Sequence, residues 1–332
     1  MKSAFDKIVV ISKKTQVEEL IERFNTRDQA RFYITSLGGD FSVYEFAHEI
    51  YHAAAKSLRQ ALTSFQVRSQ WIERSFLPTF TFGCNDLVIT LGPDGLVVNA
   101  AKYLGAQPLL AFNPDPASID GVLIPFSVDK APMILGNVLE GQAPTQAITM
   151  AQAVLNDGRS LFAVNDLFIG QKTHVSARYI LKHGEQKEAQ SSSGIIISTG
   201  AGSSGWHRSI LAGAAGEMAA FASPKALEKA HSHYRFEPTA RSLAFHVREP
   251  FETRTTGASM VRGTIKSESP LVVISQMPKN GVIFSDGIEA DFLEFNSGAI
   301  ATVQVAGRHL NLVQTAGGHH RGKRASHVSG GS

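Results

Sequence analysis

The first half of the chain alternates short apolar runs with longer amphipathic stretches, and no other feature limits its possible folds as strongly. Strand-like apolar runs occur at 7–11, 86–91 and 108–112, and a further strand is expected at 64–68. Apolar residues at helical spacing predict helices at 16–24, 41–63 and 96–104. Strands that alternate with helices are typical of a parallel sheet, so we expect residues 1–150 to form an α/β domain of Rossmann-like type.

The second half of the chain has a different pattern, in which short strand-like runs are separated by Gly, Ser, Asn and Asp. These runs lie at 160–169, 177–183, 194–199, 242–247, 271–276, 281–286 and 301–306. One helical stretch interrupts them at about 206–230. Regular short strands predict a β-rich domain over 151–316. The remaining segment, 317–332, is basic and rich in Gly and Ser, so we expect a disordered tail.

The composition excludes several classes of protein. A chain of 332 residues with 43% hydrophobic residues is long enough for two domains with their own cores. The net charge of +3 arises from Lys and Arg scattered among acids, so no nucleic-acid surface is expected. No apolar run reaches the length of a membrane span, and the N-terminus lacks the pattern of a signal peptide. The single cysteine, Cys84, fits a reducing compartment, and we expect a cytoplasmic protein.

A glycine-containing turn, LGPDG at 91–95, follows the apolar strand at 86–91 and opens the next helix. In such a turn, backbone N–H groups and the positive end of the helix can receive a phosphate, and glycines let it approach closely. Asp94 would lie at the carboxyl end of a parallel strand, where open α/β sheets bind their ligands. The same residues are compatible with a simple strand-to-helix turn in which Asp94 caps the helix.

Two other short segments place an acidic residue at a turn. In AVNDLFIG, Asn165 and Asp166 bring an amide and a carboxylate side by side, and together they can hold the two hydroxyls of a ribose. Such a pair is also common in turns that bind nothing. The sequence Gly38-Gly39-Asp40 precedes a helix signal, and we interpret Asp40 as the N-cap of that helix.

The segment 194–209 (GIIISTGAGSSGWHRS) joins a strand to a helix through a loop rich in Gly and hydroxyl groups. Its glycines spell the G-x-G-x-x-G pattern of dinucleotide-binding domains, but the strand ending in an acidic residue that should follow is missing. The hydroxyls and Trp206 remain suited to bind a ribose or a phosphate and to stack on a base. The hydroxyl residues are Ser198, Thr199, Ser203, Ser204 and Ser209.

Two other kinds of site find no support in the second half of the chain. No G-x-S-x-G elbow occurs at 194–209, so a serine hydrolase is not indicated. Four histidines lie in no H-E-x-x-H pattern, have no cysteine partner and are interpreted as surface residues: His183, His207, His231 and His233.

Taken in order, the turn at 91–95, the Asn-Asp pair and the loop at 198–209 resemble the three motifs of NAD kinases. Those motifs are a GGDG-type turn, an N-E/D pair and an S-T-x-x-G-S-x-x-aromatic loop. The resemblance extends over 7–313 and is closest to the mitochondrial-type branch, as in FNPDPASIDG at 112–121 and DGIEADFLEFNSGAIA at 286–301. It implies an α/β N-terminal domain, a β-sandwich-like C-terminal domain and a site in the cleft between them.

The resemblance also implies an activity and a role for each site residue. NAD kinases use Mg²⁺ or another divalent cation and transfer the terminal phosphoryl group of ATP to the 2′-hydroxyl of the adenosine ribose of NAD. They form homo-oligomers, and we expect a homodimer here. Asp94 resembles the aspartate that holds or deprotonates this hydroxyl, and Gly92 and Gly95 match the glycines beside the nucleotide phosphates. The contacts expected with NAD come from Asn165, Asp166, Ser198, Thr199, Ser204, Trp206 and Ser209.

Two residues depart from the general family pattern. Pro93 replaces the second glycine of GGDG, which removes one backbone donor and restricts φ in the turn. Ser193 stands where many bacterial-type NAD kinases have an aspartate, although the mitochondrial-type branch also has serine there. Two alternatives therefore stay open: a related kinase that phosphorylates a lipid or a sugar, and a dinucleotide-binding regulator with weakened catalysis.

Overall fold

A computed structural model describes residues 4–220 and 234–315, without the side chains of 289 and 290, and over these residues the chain forms an eleven-stranded and a six-stranded sheet. The helices are α1 Gln16–Phe24, α2 Arg27–Ser36, α3 Phe41–Thr63, α4 Asp94–Ala101, α5 Ala131–Leu139 and α6 Trp206–Met218. The first strands are β1 Lys7–Ser12, β2 Arg68–Glu73, β3 Asp86–Leu91, β4 Pro108–Asn113, β5 Phe126–Ser127 and β6 Thr145–Leu155. The later strands are β7 Ser160–Ala163, β8 Asp166–Gln171, β9 Ala177–His183, β10 Gln186–Ser192, β11 Ile195–Ser198, β12 Ser242–Val247, β13 Arg262–Lys266, β14 Leu271–Ser275, β15 Gly281–Ser285, β16 Ile288–Glu294 and β17 Ile300–Val313.

The N-terminal part of the large sheet is parallel, in the order β2-β1-β3-β4. All six residues of β3 are buried, because helices cover both faces of the sheet. On one face, Val88 shares an apolar core with Val97 of α4. On the other face, Ile89 shares a core with Leu58 of α3. The α/β domain that the alternating pattern predicts is confirmed.

Most of the predicted elements of this half are confirmed, namely the strands at 7–11, 86–91 and 108–112 and the helices at 16–24 and 41–63. The helix expected at 96–104 begins earlier, at Asp94, and ends at Ala101. The expectation of a strand at 64–68 is wrong, because α3 continues to Thr63 and β2 begins at Arg68. Asp40 is the N-cap of α3, as predicted, and its side chain accepts a hydrogen bond from the backbone N–H of Ser42 at 2.9 Å.

The six-stranded sheet is antiparallel, in the order β13-β12-β11-β8-β15-β16. It packs against the C-terminal strands of the large sheet through one apolar core. Leu167 of β8 and Ile197 of β11 lie in this core together with Tyr179 of β9, Val273 of β14 and Val303 of β17. Two antiparallel layers that enclose a shared core form a sandwich, so the predicted β-sandwich-like region is confirmed.

Strand β17 joins the two halves of the molecule. It pairs antiparallel with β14 and β6, and near its end Asn311 and Leu312 pair in parallel with β4. The large sheet therefore runs without interruption from the α/β half into the β-rich half. The predicted boundary at residue 150 falls inside β6, whereas the predicted tail at 317–332 and the second part of the helix expected at 206–230 lie outside the described residues.

Candidate functional site

The turn 91–95 follows β3 and leads into α4. The backbone N–H of Gly92 donates to the carbonyl oxygen of Phe112 at 3.2 Å, which ties the turn to the end of β4. Pro93 occupies the N-cap position with φ −72° and ψ 171°, and its carbonyl oxygen accepts a hydrogen bond from the N–H of Leu96 at 2.9 Å. Asp94 is therefore the first residue of the helix. The alternative in which its side chain caps the helix is wrong.

The carboxylate of Asp94 reaches across to the segment that follows β4. Its two oxygens accept hydrogen bonds from the backbone N–H groups of Val122 at 2.9 Å and Leu123 at 3.0 Å. Burial raises the pKa of Asp94 above its ordinary value, and these two hydrogen bonds oppose the rise. Asp94 is half-buried. A carboxylate in this setting is a better proton acceptor near neutral pH than a free one.

The Asn165-Asp166 pair lies at the start of β8, in a turn that Asp286 holds. Oδ1 of Asp286 accepts hydrogen bonds from the backbone N–H groups of Asn165 at 2.7 Å and Asp166 at 3.2 Å, and its Oδ2 accepts one from Val164 at 3.1 Å. The N–H of Asp286 in turn donates to the carbonyl oxygen of Asp166 at 2.9 Å. These bonds fix the backbone of the turn without involving the side chain of Asn165 or Asp166.

Asp166 and Ser198 lie opposite each other in adjacent strands. The Ser198 hydroxyl donates to Oδ1 of Asp166. Burial, with a smaller contribution from the charge of Asp286, raises the pKa of Asp166 to about 7, although the Ser198 hydroxyl lowers it. Ser198 and Thr199 are themselves fully buried, and the Thr199 hydroxyl donates to the carbonyl oxygen of Val164. Of the residues predicted to contact NAD, these two hydroxyls are already paired within the protein.

The glycines of the 198–209 loop allow two segments of backbone to touch. A Cβ atom added to Gly202 would overlap the carbonyl oxygen of Asn165, and one added to Gly200 would overlap that of Glu237. The N–H of Thr199 also donates to the carbonyl oxygen of Asn165 at 2.9 Å. Gly200 and Gly202 thus serve close packing of the loop on its neighbours, which explains the G-x-G-x-x-G pattern without a pyrophosphate.

Trp206 begins α6 at the end of the loop. Its ring stacks on Phe168 with centroids 6.0 Å apart and an interplanar angle of 6°. The guanidinium carbon of Arg248 lies 5.5 Å from its ring centroid. Trp206 and Ser204 are half-buried, and Ser209 is exposed. The ring of Trp206 and the hydroxyl of Ser204 belong to the loop, and Arg248 places a positive charge beside the ring.

The helix that Asp94 begins and the 198–209 loop contribute residues to the same apolar core. Leu96 and Val97 of α4 lie in one apolar core with Val164 and Ala201, which is in the middle of the loop. Just beyond α4, Nζ of Lys102 donates to the carbonyl oxygen of Ser285 at 3.3 Å, next to Asp286. Helix α4 and the 198–209 loop therefore contribute to one apolar core, and their place in one site stays a prediction.

Two residues of this region carry no prediction. Asp286 ends the strand-like run at 281–286 and precedes Gly287. An Asp-Gly pair in this position indicates a turn, and it is the signal by which Asp286 could have been found. Lys102 is buried, and its Nζ lies 3.6 Å from Oδ2 of Asp291. Burial lowers the pKa of Lys102, while Asp286 and Asp291 oppose the change. Nothing local in the sequence distinguishes Lys102 from other lysines.

A cavity of about 560 Å³ lies at the carboxyl ends of β1 and β2. Tyr51 of α3 lines it and donates from its hydroxyl to the carbonyl oxygen of Leu91 at 3.3 Å, directly before the 91–95 turn. Because carboxyl ends of parallel strands share one edge of a sheet, the cavity and the turn lie on the same edge. The positively charged residues that line the cavity are Lys13, Lys14, Lys56 and Arg59.

His207 departs from its predicted surface position. It is 5% exposed and its ring lies 4.7 Å from that of His246, in an edge contact. Burial lowers the pKa of both rings, that of His246 to about 4. His183 is half-buried, and His231 and His233 lie outside the described residues.

Comparison with known proteins gives no matching family model. An NAD kinase of Chlorobaculum tepidum is 27% identical over 127 residues, which are 37% of this chain and 44% of that protein. The aligned part thus spans less than half the length of this curated relative.

Two solved structures share the fold over most of the chain. Yeast NADH kinase complexed with NADH has a TM-score of 0.56 and 16% identity, over 93% of this chain and 84% of that chain. An NAD kinase from Archaeoglobus fulgidus in complex with ATP has a TM-score of 0.56 and 15% identity, over 92% of this chain and 93% of that chain. The chain therefore has the fold of these kinases, and the predicted resemblance to NAD kinases is confirmed, whereas its closeness to the mitochondrial-type branch stays a prediction. Among the described residues, no helix is both long and apolar enough to cross a membrane.

Proposed function

We propose that this chain is an NAD kinase, which transfers the terminal phosphoryl group of ATP to the 2′-hydroxyl of the adenosine ribose of NAD and so forms NADP. The observation that carries this proposal is the position of Asp94. It lies half-buried at the carboxyl end of β3, and the helix that it opens shares an apolar core with the 198–209 loop. Further support comes from the fold shared with an NADH kinase and an NAD kinase.

The acceptor nucleotide would lie against the Asn165-Asp166 turn and the 198–209 loop. With a pKa of about 7, Asp166 can accept a hydrogen bond from a ribose hydroxyl, or donate one when it is protonated. Trp206 offers an aromatic face to a base, and Arg248 beside it supplies a positive charge for the pyrophosphate. Ser204 and Ser209 would add hydroxyl contacts at the rim of this site.

The donor nucleotide would place its phosphates at the 91–95 turn. Gly95 is exposed, so its backbone N–H at the first turn of α4 can meet a phosphate oxygen, whereas a Cβ atom at Gly92 would lie 3.0 Å from Cδ2 of Leu96. Mg²⁺ is usually held by substrate phosphates and one or two carboxylates. Because Asp94 is assigned to the acceptor hydroxyl, the ion would be held chiefly by the phosphates. A bound Mg²⁺ would neutralise charge on the phosphates.

The transfer itself requires that the reactants are aligned and that one proton is moved. The 2′-oxygen forms a bond to the terminal phosphorus, and the bond from that phosphorus to its bridging oxygen breaks as ADP leaves. The hydroxyl proton passes to the Asp94 carboxylate. Because the transition state is loose, this proton moves late, and the raised pKa of Asp94 assists its transfer.

The experiment that tests the proposal is an assay of the purified full chain with ATP, Mg²⁺ and NAD, in which NADP is detected by a coupled dehydrogenase. We expect NADP to form at a rate proportional to enzyme concentration. Binding of NAD without turnover would overturn kinase activity in favour of a dinucleotide-binding regulator. Neither binding nor turnover would favour a kinase for another hydroxyl acceptor. Parallel reactions with NADH and with inorganic polyphosphate define the acceptor and the donor.

Three further parts of the proposal derive from the family resemblance and the composition: a divalent cation as cofactor, a homodimer in solution and a cytoplasmic location. Light scattering coupled to gel filtration tests the dimer directly. Removal of Mg²⁺ with a chelator should abolish turnover and leave binding of NAD in place.

A further inference from the structure

Helix α3 carries an H-E-x-x-H pattern that the proposed reaction does not use. The pattern is His48-Glu49-Ile50-Tyr51-His52. Residues four apart on a helix lie on one face, and the two imidazole rings have centroids 4.3 Å apart. On a helix, two histidines at this spacing are a known zinc-binding arrangement. The pattern alone does not identify a metal site, so the evidence must come from the side chains around it.

A third ligand group comes from α1, the helix that packs beside α3. Glu18 lies in its first turn, and Nε2 of His52 is 3.1 Å from Oε1 of Glu18. One ligand atom from each of Glu18, His48 and His52 lies within 4.8 Å of the other two. Ligand atoms around a tetrahedral zinc ion are about 3.4 Å apart, given zinc–nitrogen bonds of about 2.1 Å. Small side-chain rotations therefore suffice to enclose an ion.

Thr15 orients two of these three groups. It is the N-cap of α1, and its backbone N–H donates to Oε2 of Glu18 at 2.7 Å, which leaves Oε1 directed to His52. Its hydroxyl oxygen lies 2.7 Å from Nδ1 of His48. Hydrogen bonds of this kind to ligand side chains fix their orientation in metal sites. The capping box of α1 thus holds both a carboxylate and an imidazole toward the same point.

The backbone beneath the cluster is held firmly. Val17 of α1 and Phe41 of α3 are buried in one small apolar core between the two helices. Tyr51 is buried, and its hydroxyl accepts a hydrogen bond from the N–H of Lys13 at 3.1 Å.

We propose that Glu18, His48 and His52 form a binding site for a zinc-like divalent ion that bridges α1 and α3. Two imidazoles and one carboxylate favour Zn²⁺ or Co²⁺ over Mg²⁺ and Ca²⁺, which prefer oxygen ligands alone. Three protein ligands leave one tetrahedral position for water or an anion. Glu18 and His52 also line the cavity of about 560 Å³, whose other charged residues carry both signs, among them Lys13, Lys14, Glu22 and Glu73. We assign no hydrolytic role to the exposed Glu49.

The site is tested by titration of the full chain with Zn²⁺ in a calorimeter and with Co²⁺ by visible absorption. We expect the affinity of this site for Zn²⁺ to fall at least tenfold in His52→Gln and in Glu18→Gln. Tetrahedral Co²⁺ bands should appear with the unmodified chain and be lost in both variants. His52 is exposed, so its substitution leaves the apolar core between the helices untouched.

Matched controls separate this site from chance binding to other histidines. His174→Ala removes an exposed histidine elsewhere, and His319→Ala with His320→Ala removes the adjacent pair near the C-terminus. Both controls should retain the site. Zn²⁺ should also raise the melting temperature of the unmodified chain more than that of His52→Gln. Equal affinity in the unmodified chain and His52→Gln, or loss of binding in the controls, would overturn the site. These readouts do not depend on kinase activity.

Discussion

Oδ1 of Asp286 accepts a hydrogen bond from the backbone N–H of Asn165 at 2.7 Å, across 121 residues of sequence. This bond and those to Val164 and Asp166 make one carboxylate the support of the turn that starts β8. The same turn contacts the 198–209 loop, because the carbonyl oxygen of Asn165 accepts a hydrogen bond from the N–H of Thr199. A single side chain far away in the sequence therefore determines the shape of the proposed acceptor site.

Asp286→Ala should destabilise the protein by about 3 kcal/mol, because three backbone N–H groups lose a charged acceptor. We expect the dissociation constant for NAD to rise as well, since the Asn165-Asp166 turn loses its support. Chemical unfolding and a binding titration measure the two effects. Asp120→Ala removes an exposed aspartate and serves as the control. A stability loss no larger than that of the control would contradict the supporting role.

The titration of Asp166 predicts a pH dependence of stability. Its pKa is about 7 in the folded protein against an ordinary value of 3.8, so the folded state keeps a proton that the unfolded state has released. Stability should therefore fall as the pH rises from about 4 to about 7. Asp166→Asn cannot titrate, so the free energy of unfolding of this variant, minus that of the unmodified chain, should increase across this range. A difference that does not change with pH would show that Asp166 titrates normally.

Pro93→Gly would restore the second glycine of the motif and add one backbone N–H at the turn. We expect the KM for ATP to fall severalfold, with little change in the KM for NAD. The greater freedom of the unfolded chain should lower stability by up to about 1 kcal/mol. Pro116→Gly, in an exposed loop, controls for the general effect of losing a proline. An unchanged KM for ATP would show that Pro93 does not limit phosphate binding.

The chain contains two tryptophans, which give a direct optical test of the acceptor site. Trp206 stacks on Phe168 beside the loop, whereas Trp71 lies under the guanidinium of Arg59 at 3.8 Å. NAD should quench the fluorescence of the unmodified chain and of Trp71→Phe, but not that of Trp206→Phe. Quenching that persists in Trp206→Phe and is lost in Trp71→Phe would place NAD at the cavity that Trp71 lines.

The central strands could be predicted from the sequence because both of their faces are buried. Every residue of β3 is buried, so the strand is a continuous apolar run. β2 lies at the edge of the sheet with its first three residues exposed. These residues are polar, so the sequence does not show the apolar run by which a strand is recognised. Helix α2 buries Ala30 and otherwise presents exposed or half-buried residues, so it offers no apolar face to recognise.

The site could be predicted in part, because its local motifs stand next to strands and helices in the sequence. Asp94, Asn165 and the 198–209 loop were predicted as candidate site residues in this way. The contact between Asp286 and Asn165 depends on strands that are distant in sequence, and so does the contact between Lys102 and Ser285. Half-burial of Asp94 depends on the segment at 121–124, which no local pattern connects with the turn.

The most direct test of the central claim is to compare Asp94→Asn with the unmodified chain in two measurements, the dissociation constant for NAD and the rate of NADP formation with ATP and Mg²⁺. Asparagine preserves the size of the side chain but cannot take the hydroxyl proton. We predict similar NAD binding and a loss of turnover of at least about a hundredfold, as expected for removal of a general base. Near-normal turnover in Asp94→Asn would contradict the assignment of this carboxylate to the reaction.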